Sequence, residues 1–246
     1  MANETKKGLN TNSNSYTIIY SAIMVIIVAF LLAFVYQTLK DRQDANVALD
    51  KKKQILYALN IRGLNDDDAA AKYKEVVLSD DILAENGEVA PFEGKDNESN
   101  GFKLGSAQYK EGKLAVYTCK IGEDTKYVIP VYGMGLWGPI SGYIALDSDC
   151  QTVFGAYFNH DSETAGLGAE IKDSQAWQEK FIGKKLFAEG SDDIALSVEK
   201  NVDKPESQVD AVTGATLTSN GVRDMLKEGL GKYVGFFKSK QNKGGN

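Results

Sequence analysis

An uninterrupted apolar run near the amino terminus constrains this chain most. Ile18 to Val35 reads IIYSAIMVIIVAFLLAFV and contains no charged residue. At about 1.5 Å per residue, a helix of this length approaches the roughly 30 Å hydrocarbon core of a bilayer. The alternatives are a buried core helix and a signal peptide, but the stretch after Leu32 lacks a small-residue cleavage site. The run therefore predicts a retained transmembrane helix over residues 16–37.

Tyrosines near the ends of the run support this placement. Tyr16, Tyr20 and Tyr36 would lie near the membrane interface, where aromatic rings are favoured. The run offers no ionisable side chain as an ion ligand at membrane depth. We therefore expect it to anchor the chain and not to conduct sodium.

The orientation of the anchor is ambiguous from charge alone. Lys6 and Lys7 flank one end, whereas Lys40, Arg42 and the run Lys51–Lys53 flank the other. The positive-inside rule, applied naively, would place the large domain in the cytoplasm.

Composition limits the part of the chain beyond the anchor. A chain of 246 residues with 43% hydrophobic content can form one well-packed soluble domain besides the anchor. The net charge of −6 and the pI near 5.0 argue against a nucleic-acid surface. We expect no nucleic-acid partner.

The cysteine and histidine content argues against a metal site. Cys119 and Cys150 show no iron–sulfur spacing, so we expect no such cluster held by this chain alone. They could form one disulfide or remain two buried free thiols. His160 is the only histidine, which gives little support to zinc or copper.

The remaining pattern predicts an α+β domain. We expect a tail over 1–15, a juxtamembrane helix over 38–62, the soluble domain over 63–240 and a flexible tail over 241–246. Asn65 and the three acidic residues that follow it, up to Asp68, are typical of a helix start. The polar segment 87–112 is typical of loops, and Ser174–Phe181 is typical of a short helix. Short runs of β-branched and aromatic residues predict strands at Leu114–Ile121, Tyr127–Tyr132, Gly142–Leu146, Val153–Phe158 and Ile194–Val198.

A glycine-rich segment, Gly133–Gly138, fits G-x-G-x-x-G literally. A dinucleotide-binding turn needs a helix at its last glycine, but the following residues, from Pro139 to Leu146, are typical of a strand. We therefore reject a NAD-binding fold. The glycines would instead let backbone approach a flat ligand, with Leu136 and Trp137 as apolar surface. The alternative is a tight hairpin with Trp137 in the core.

A hydroxyl-rich turn, Asp210–Ser219, precedes an amphipathic helix predicted over Asn220–Phe237. The free N–H groups and positive dipole end of such a helix would favour an anion next to Thr216. The alternative is that these hydroxyls are ordinary helix N-caps.

Three motifs together resemble one family. Asp210-x-x-Thr213-Gly214-Ala215-Thr216 matches D-x-x-[ST]-G-A-[ST], found in proteins that carry FMN as a phosphoester on a threonine. These are the C and B subunits of the sodium-translocating NADH:quinone reductase and the related G and D subunits of Rnf complexes. The segment Gly135–Trp137 resembles the G-L-W segment of the C subunits. His160–Gly168 resembles their H-x-E-T-P-G-L-G segment, with Ala165 in place of the usual proline.

The resemblance implies a soluble FMN-binding domain behind a single anchor. It makes Thr216 the covalent attachment point, and the remaining candidate cofactor-binding residues are Asp210, Thr213, Gly214, Ala215, Leu136, Trp137, Glu163, Thr164, Gly166, Leu167 and Gly168. It also implies that a separate magnesium-dependent flavin transferase moves FMN from FAD to the threonine, since no catalytic triad accompanies Thr216.

The resemblance further implies an electron carrier with no independent catalysis. Electrons would pass from an iron–sulfur centre to the flavin of the B subunit, within a complex that also has A, D, E and F subunits. The resemblance also implies that the domain lies on the periplasmic face of a bacterial inner membrane. This conflicts with the local charge bias, but long domains can be translocated despite such a bias. The alternatives are an Rnf-type G subunit and, from another class, a membrane-anchored binding or adhesion protein.

Overall fold

The computed structural model describes residues 11–84 and 101–241. Lys6 and Lys7, most of the polar segment 87–112 and the tail after residue 241 lie outside the described residues. The chain divides into two compact units, Met1–Ala48 and Leu49–Asn246.

One continuous helix, α1, runs from Asn14 to Ala58. It is the one helix of the described residues long and apolar enough to cross a membrane, and its apolar stretch is exposed. Exposure of such a stretch to water is unfavourable, so it fits a lipid environment. The expected juxtamembrane helix continues α1 without a break, and Asn60, which has a φ of 61°, follows its end.

A second helix, α2 (Asp66–Val76), begins as its acidic residues predict. The side chain of Asn65 accepts a hydrogen bond from the Asp68 amide at 2.9 Å, which is the geometry of an N-cap. Strand β1 (Val77–Leu83) follows at once. No local pattern predicts this strand, because its hydrogen-bonding partner, residues 114–119, lies far along the chain.

The domain is built on one antiparallel sheet. A short helix, α3 (Ser106–Lys110), leads into it, and its strands lie in the order β1-β2-β3-β4-β5. The last four strands are β2 (Leu114–Ile121), β3 (Asp124–Met134), β4 (Pro139–Leu146) and β5 (Val153–His160). The predicted strands in this region are confirmed, with β3, β4 and β5 longer than expected.

The rest of the domain covers one side of the sheet. Its elements are α4 (Glu170–Asp173), α5 (Gln175–Glu179), β6 (Ser197–Glu199), β7 (Gln208–Asp210), α6 (Thr216–Gly231) and α7 (Val234–Gln241). The buried residues of α6 and α7 pack with those of β3, β4 and β5 in one apolar core. A second core joins the end of α1 and α2 to the opposite face of the sheet. The expected α+β class is confirmed.

Two sequence predictions need correction. The strand expected at Ile194–Val198 begins only at Ser197, and Ile194 forms an isolated bridge with Phe187. The helix expected over Asn220–Phe237 begins at Thr216 and is interrupted after Gly231, so two helices replace one.

The two cysteines are free and buried. Burial raises the pKa of both the Cys119 and the Cys150 thiol to about 12. Of the two alternatives left open by the sequence, the structure therefore has the pair of free thiols.

Candidate functional site

The glycine-rich segment forms the tip of the hairpin between β3 and β4. The Gly135 amide donates to the Gly138 carbonyl at 2.8 Å, and a strand follows, so rejection of the dinucleotide-binding turn is confirmed. Trp137 is 67% exposed, and Leu136 is exposed beside it. The alternative that placed Trp137 in the core is wrong.

Helix α6 packs directly against this hairpin. A Cβ atom at Gly221 would lie 2.3 Å from the Met134 carbonyl oxygen, and one at Gly133 would lie 2.6 Å from Met225 Cβ. Real Cβ atoms do not approach so closely, so both glycines are needed for the contact. The end of β3, at the base of this hairpin, is therefore packed against the second and third turns of α6.

A tight loop after β5 carries the second motif. The Thr164 carbonyl accepts hydrogen bonds from the amides of Leu167 (3.1 Å) and Ala169 (3.0 Å), and Gly166 has a φ of 73°. The turn thus forms with Ala165 where the family has proline. Thr164 and Leu167 are exposed, whereas Gly168 is buried.

Glu163, in the same loop, points into the protein and is 8% exposed. Its Oε1 accepts from the Trp137 amide at 2.8 Å, and its Oε2 accepts from the Thr218 hydroxyl at 2.5 Å. Its own amide donates to His160 Nδ1 at 3.2 Å. One carboxylate therefore joins the loop, the hairpin tip and α6.

The third motif connects β7 to α6. Asp210 ends β7, and its carbonyl accepts from the Trp177 indole N–H at 2.8 Å. Its carboxylate pairs with Lys180 at 2.8 Å. Gly214 has a φ of 78°, and a Cβ there would lie 2.8 Å from Leu167 Cδ2. The turn thus brings this third motif against the Leu167 loop.

The hydroxyls of this motif do not cap α6. The N-cap position is Ala215, which makes no side-chain cap, and the first turn holds no acidic residue. Thr218 and Ser219 are buried within the helix, where Thr218 bonds to Glu163 and Ser219 accepts from the Val212 amide at 3.1 Å. The interpretation of these hydroxyls as N-caps is wrong. Thr216 is the first residue of the helix and is exposed.

Several large apolar side chains are exposed on these three segments. Trp137, Leu136 and Leu167 were expected from the sequence; Met134 and Leu217 were not. Leu217 could have been recognised, because it does not share the apolar stripe formed by Val222 and Leu226 of the same helix. Thr213 and Gly214 are also exposed.

The chain has relatives that match over nearly its whole length. Residues 135–231 match the family described as FMN-binding domain. The C subunit of the Na(+)-translocating NADH-quinone reductase from Haemophilus ducreyi is 34% identical, over 94% of this chain and 96% of that protein. The chain belongs to the family of C subunits of the Na(+)-translocating NADH-quinone reductases. The Vibrio anguillarum C subunit is 31% identical over 95% of this chain and 98% of its own length.

Solved structures of C subunits agree with this membership. That of Parabacteroides distasonis is 34% identical, covers 81% of this chain and 96% of its own, and superposes with a TM-score of 0.72. NqrC of Shewanella oneidensis, at 21% identity, covers 80% of this chain and 99% of its own, with a TM-score of 0.64, and supports the fold alone.

Proposed function

We propose that this chain is an electron-carrying subunit of a sodium-translocating NADH:quinone reductase that holds FMN as a phosphoester on Thr216. The observation that carries the proposal is the exposed Thr216 at the start of α6, joined through Glu163 to the segment of Trp137 and through Gly214 to the loop of Leu167. Membership of the C-subunit family and the FMN-binding-domain match support the coarser role of a flavin-containing subunit.

The environment of the hydroxyls supports Thr216 over its neighbours. Thr218 and Ser219 are each 1% exposed and already hydrogen-bonded. Thr213 is exposed but precedes the left-handed Gly214 and so lies outside the helix. Thr216 alone of these four combines exposure with a position in the first turn of α6.

The start of α6 also suits a phosphate group. The first N–H groups of a helix have no intrahelical acceptor, and the helix dipole favours negative charge there. The N-cap residue, Ala215, makes no side-chain cap, and the first turn of the helix holds no carboxylate that would repel an anion. Asp210, the nearest acid of the motif, is paired with Lys180.

The exposed apolar residues suit the flat ring of a flavin. Leu136, Trp137 and Leu167 would pack on the ring, while Thr164 and the backbone of Gly166 and Gly168 would meet its polar edge. Asp210, Thr213, Gly214 and Ala215 would shape the turn that carries the attachment point. Glu163 would act from beneath the site.

Attachment requires a separate enzyme. The Thr216 oxygen would form a bond to the phosphorus of the FMN half of FAD, the pyrophosphate bond would break, and AMP would leave. The hydroxyl proton would pass to a base of the magnesium-dependent flavin transferase, since in the described part of the chain no side chain is hydrogen-bonded to Thr216. His160 accepts a hydrogen bond from the Glu163 amide, and the Glu163 carboxylate accepts one from the Thr218 hydroxyl.

The bound flavin would supply the capacity to accept and release single electrons. The chain orients the ring at an exposed surface, which suits exchange of electrons with partner subunits. We propose that electrons arrive from an iron–sulfur centre and leave to the flavin of the B subunit, with A, D, E and F subunits completing the complex. NADH oxidation and quinone reduction would then take place on other subunits.

The location follows from the anchor and the proposed complex. The apolar part of α1 supports a single-pass protein of a bacterial inner membrane, and we propose a periplasmic domain. The alternative, an Rnf-type G subunit, receives less support, because the relatives are named as subunits of the reductase.

Covalent flavin on a denatured chain tests the proposal. The protein is coexpressed with its transferase, denatured and separated on a gel. We expect a fluorescent band for the wild type and none for Thr216→Ala, while Thr213→Ala should leave the attachment site on Thr216. Peptide mapping of wild type and of Thr218→Ala should locate the flavin on Thr216. A dark wild-type band, or flavin on Thr218, would contradict the proposal.

A further inference from the structure

We infer that Glu163 is a positioning residue, which fixes the hairpin tip and the first turn of α6 in the arrangement that exposes Thr216, and does not itself contact the flavin. This role for Glu163 rests on the proposed attachment at Thr216. It gives Glu163, a candidate cofactor-binding residue, a role beneath the flavin in place of direct contact with it.

Both carboxylate oxygens of Glu163 are used inside the protein. One accepts the amide of Trp137 and the other accepts the hydroxyl of Thr218, at 2.8 and 2.5 Å. With the side chain 8% exposed, little of it is left to meet a ligand. Hydrogen bonds to an ionised group are stronger than those between neutral groups, and leaving buried partners unpaired is costly.

Two glycines create the space that this carboxylate occupies. A Cβ at Gly135 would lie 2.5 Å from Glu163 Oε1, and a Cβ at Gly168 would lie 2.5 Å from Oε2. Each glycine belongs to one of the three motifs, one in the hairpin and one in the loop. Because these glycines have no side chains, they leave room for the buried Glu163 carboxylate as well as for any ligand on the exposed side of the site.

The position of Glu163 is itself fixed from β5. Its amide donates to Nδ1 of His160, the last residue of that strand. Hydrogen bonds therefore connect β5 through Glu163 to Trp137 in the hairpin tip and to Thr218 in the first turn of α6. These are the two segments that the proposed function needs at a fixed separation.

The first part of the test uses the flavin-free protein. Hydrogen exchange of the Trp137 amide is measured by mass spectrometry in the full chain in detergent. We expect Glu163→Ala to lose protection there, and Glu163→Gln to restore it, because the amide oxygen can accept from Trp137 while its NH₂ donates to Thr218. Asp161→Ala, which removes an exposed carboxylate from the same loop, should behave as wild type.

The second part measures the rate of flavin incorporation by the transferase at a temperature where circular dichroism shows all variants folded. Glu163→Ala should slow incorporation by about tenfold or more, the factor that corresponds to one lost hydrogen bond to a charged group. Glu163→Gln should recover most of the rate. Because the two residues form one connection, Glu163→Ala combined with Thr218→Val should be no slower than Glu163→Ala alone.

Two results would overturn the inference. One is a Glu163→Ala variant with wild-type protection of the Trp137 amide and wild-type flavin incorporation. The other is a Glu163→Gln variant that regains protection of this amide but not flavin incorporation, which would show that the charge of Glu163 matters and not its positioning role. A wild-type chain that takes up no flavin would overturn the proposed function instead. In that case the exchange measurement alone still decides whether Glu163 holds the hairpin.

Discussion

At the scale of single residues, the site depends on backbone conformations that few residues adopt. Gly214 has a φ of 78°, and a side chain there would also meet Leu167. Gly214→Ala should reduce the free energy of unfolding by about 1–2 kcal/mol through the left-handed conformation alone. It should also displace Leu167 and so slow flavin incorporation. Denaturant unfolding and the incorporation assay measure the two effects.

Gly190 provides the matched control for this prediction. Its φ is 68°, but a Cβ there would have nothing within 4 Å. Gly190→Ala should therefore lose comparable stability while incorporation stays at the wild-type rate. Equal incorporation in both alanine variants would show that contact with Leu167 is irrelevant to the site.

Residue type and position within a motif predict the environment of some of these site residues but not of others. The exposure of Trp137 could only be offered as one of two alternatives, because its amide is held by an acceptor from another motif. The inward bond from Thr218 to Glu163 joins residues 55 positions apart. Such partners have no local signal, so the sequence alone gives Glu163 only as a candidate cofactor-binding residue.

At the scale of elements, α6 has one face that packs in the core and another that is exposed near Thr216. Leu226 is fully buried against the sheet, whereas Leu217 is 59% exposed beside Thr216. Leu226→Ala should cost about 2–5 kcal/mol of unfolding free energy, because it leaves a cavity in the main core. Leu217→Ala should change stability by no more than about 0.5 kcal/mol. Thermal and denaturant unfolding of the two flavin-free variants measures both losses of unfolding free energy. Losses of similar size would contradict this division.

The elements themselves were predictable where their pattern was local. Strand β2 has the bounds that its β-branched and aromatic residues predict, and a strand follows Gly138 as Pro139 and its successors indicate. The start of α6 was placed too late, because Thr218 and Ser219 are typical of caps when their tertiary partners are unknown. Burial and bonds to Glu163 and Val212 allow both hydroxyls to lie inside the helix.

At the scale of the whole molecule, the chain combines a unit that needs lipid with one that carries its own core. The exposed apolar part of α1 lies in the unit Met1–Ala48, whereas both apolar cores lie within Leu49–Asn246. The apolar run predicts the anchor, but not that the boundary between the units falls at Ala48, inside the helix expected over 38–62. The side of the membrane could not be predicted, because basic residues flank both ends of that run.

The proposed periplasmic orientation can be tested with a single introduced thiol. Cys119 and Cys150 are buried, and their raised thiol pKa values of about 12 keep them protonated and unreactive at neutral pH. The wild type is therefore the unlabelled control. Asn201→Cys places a thiol on an exposed bend of the domain, outside the three motifs. In spheroplasts, a membrane-impermeant maleimide should label this variant without lysis. Labelling that requires lysis would place the domain in the cytoplasm and contradict the proposed orientation.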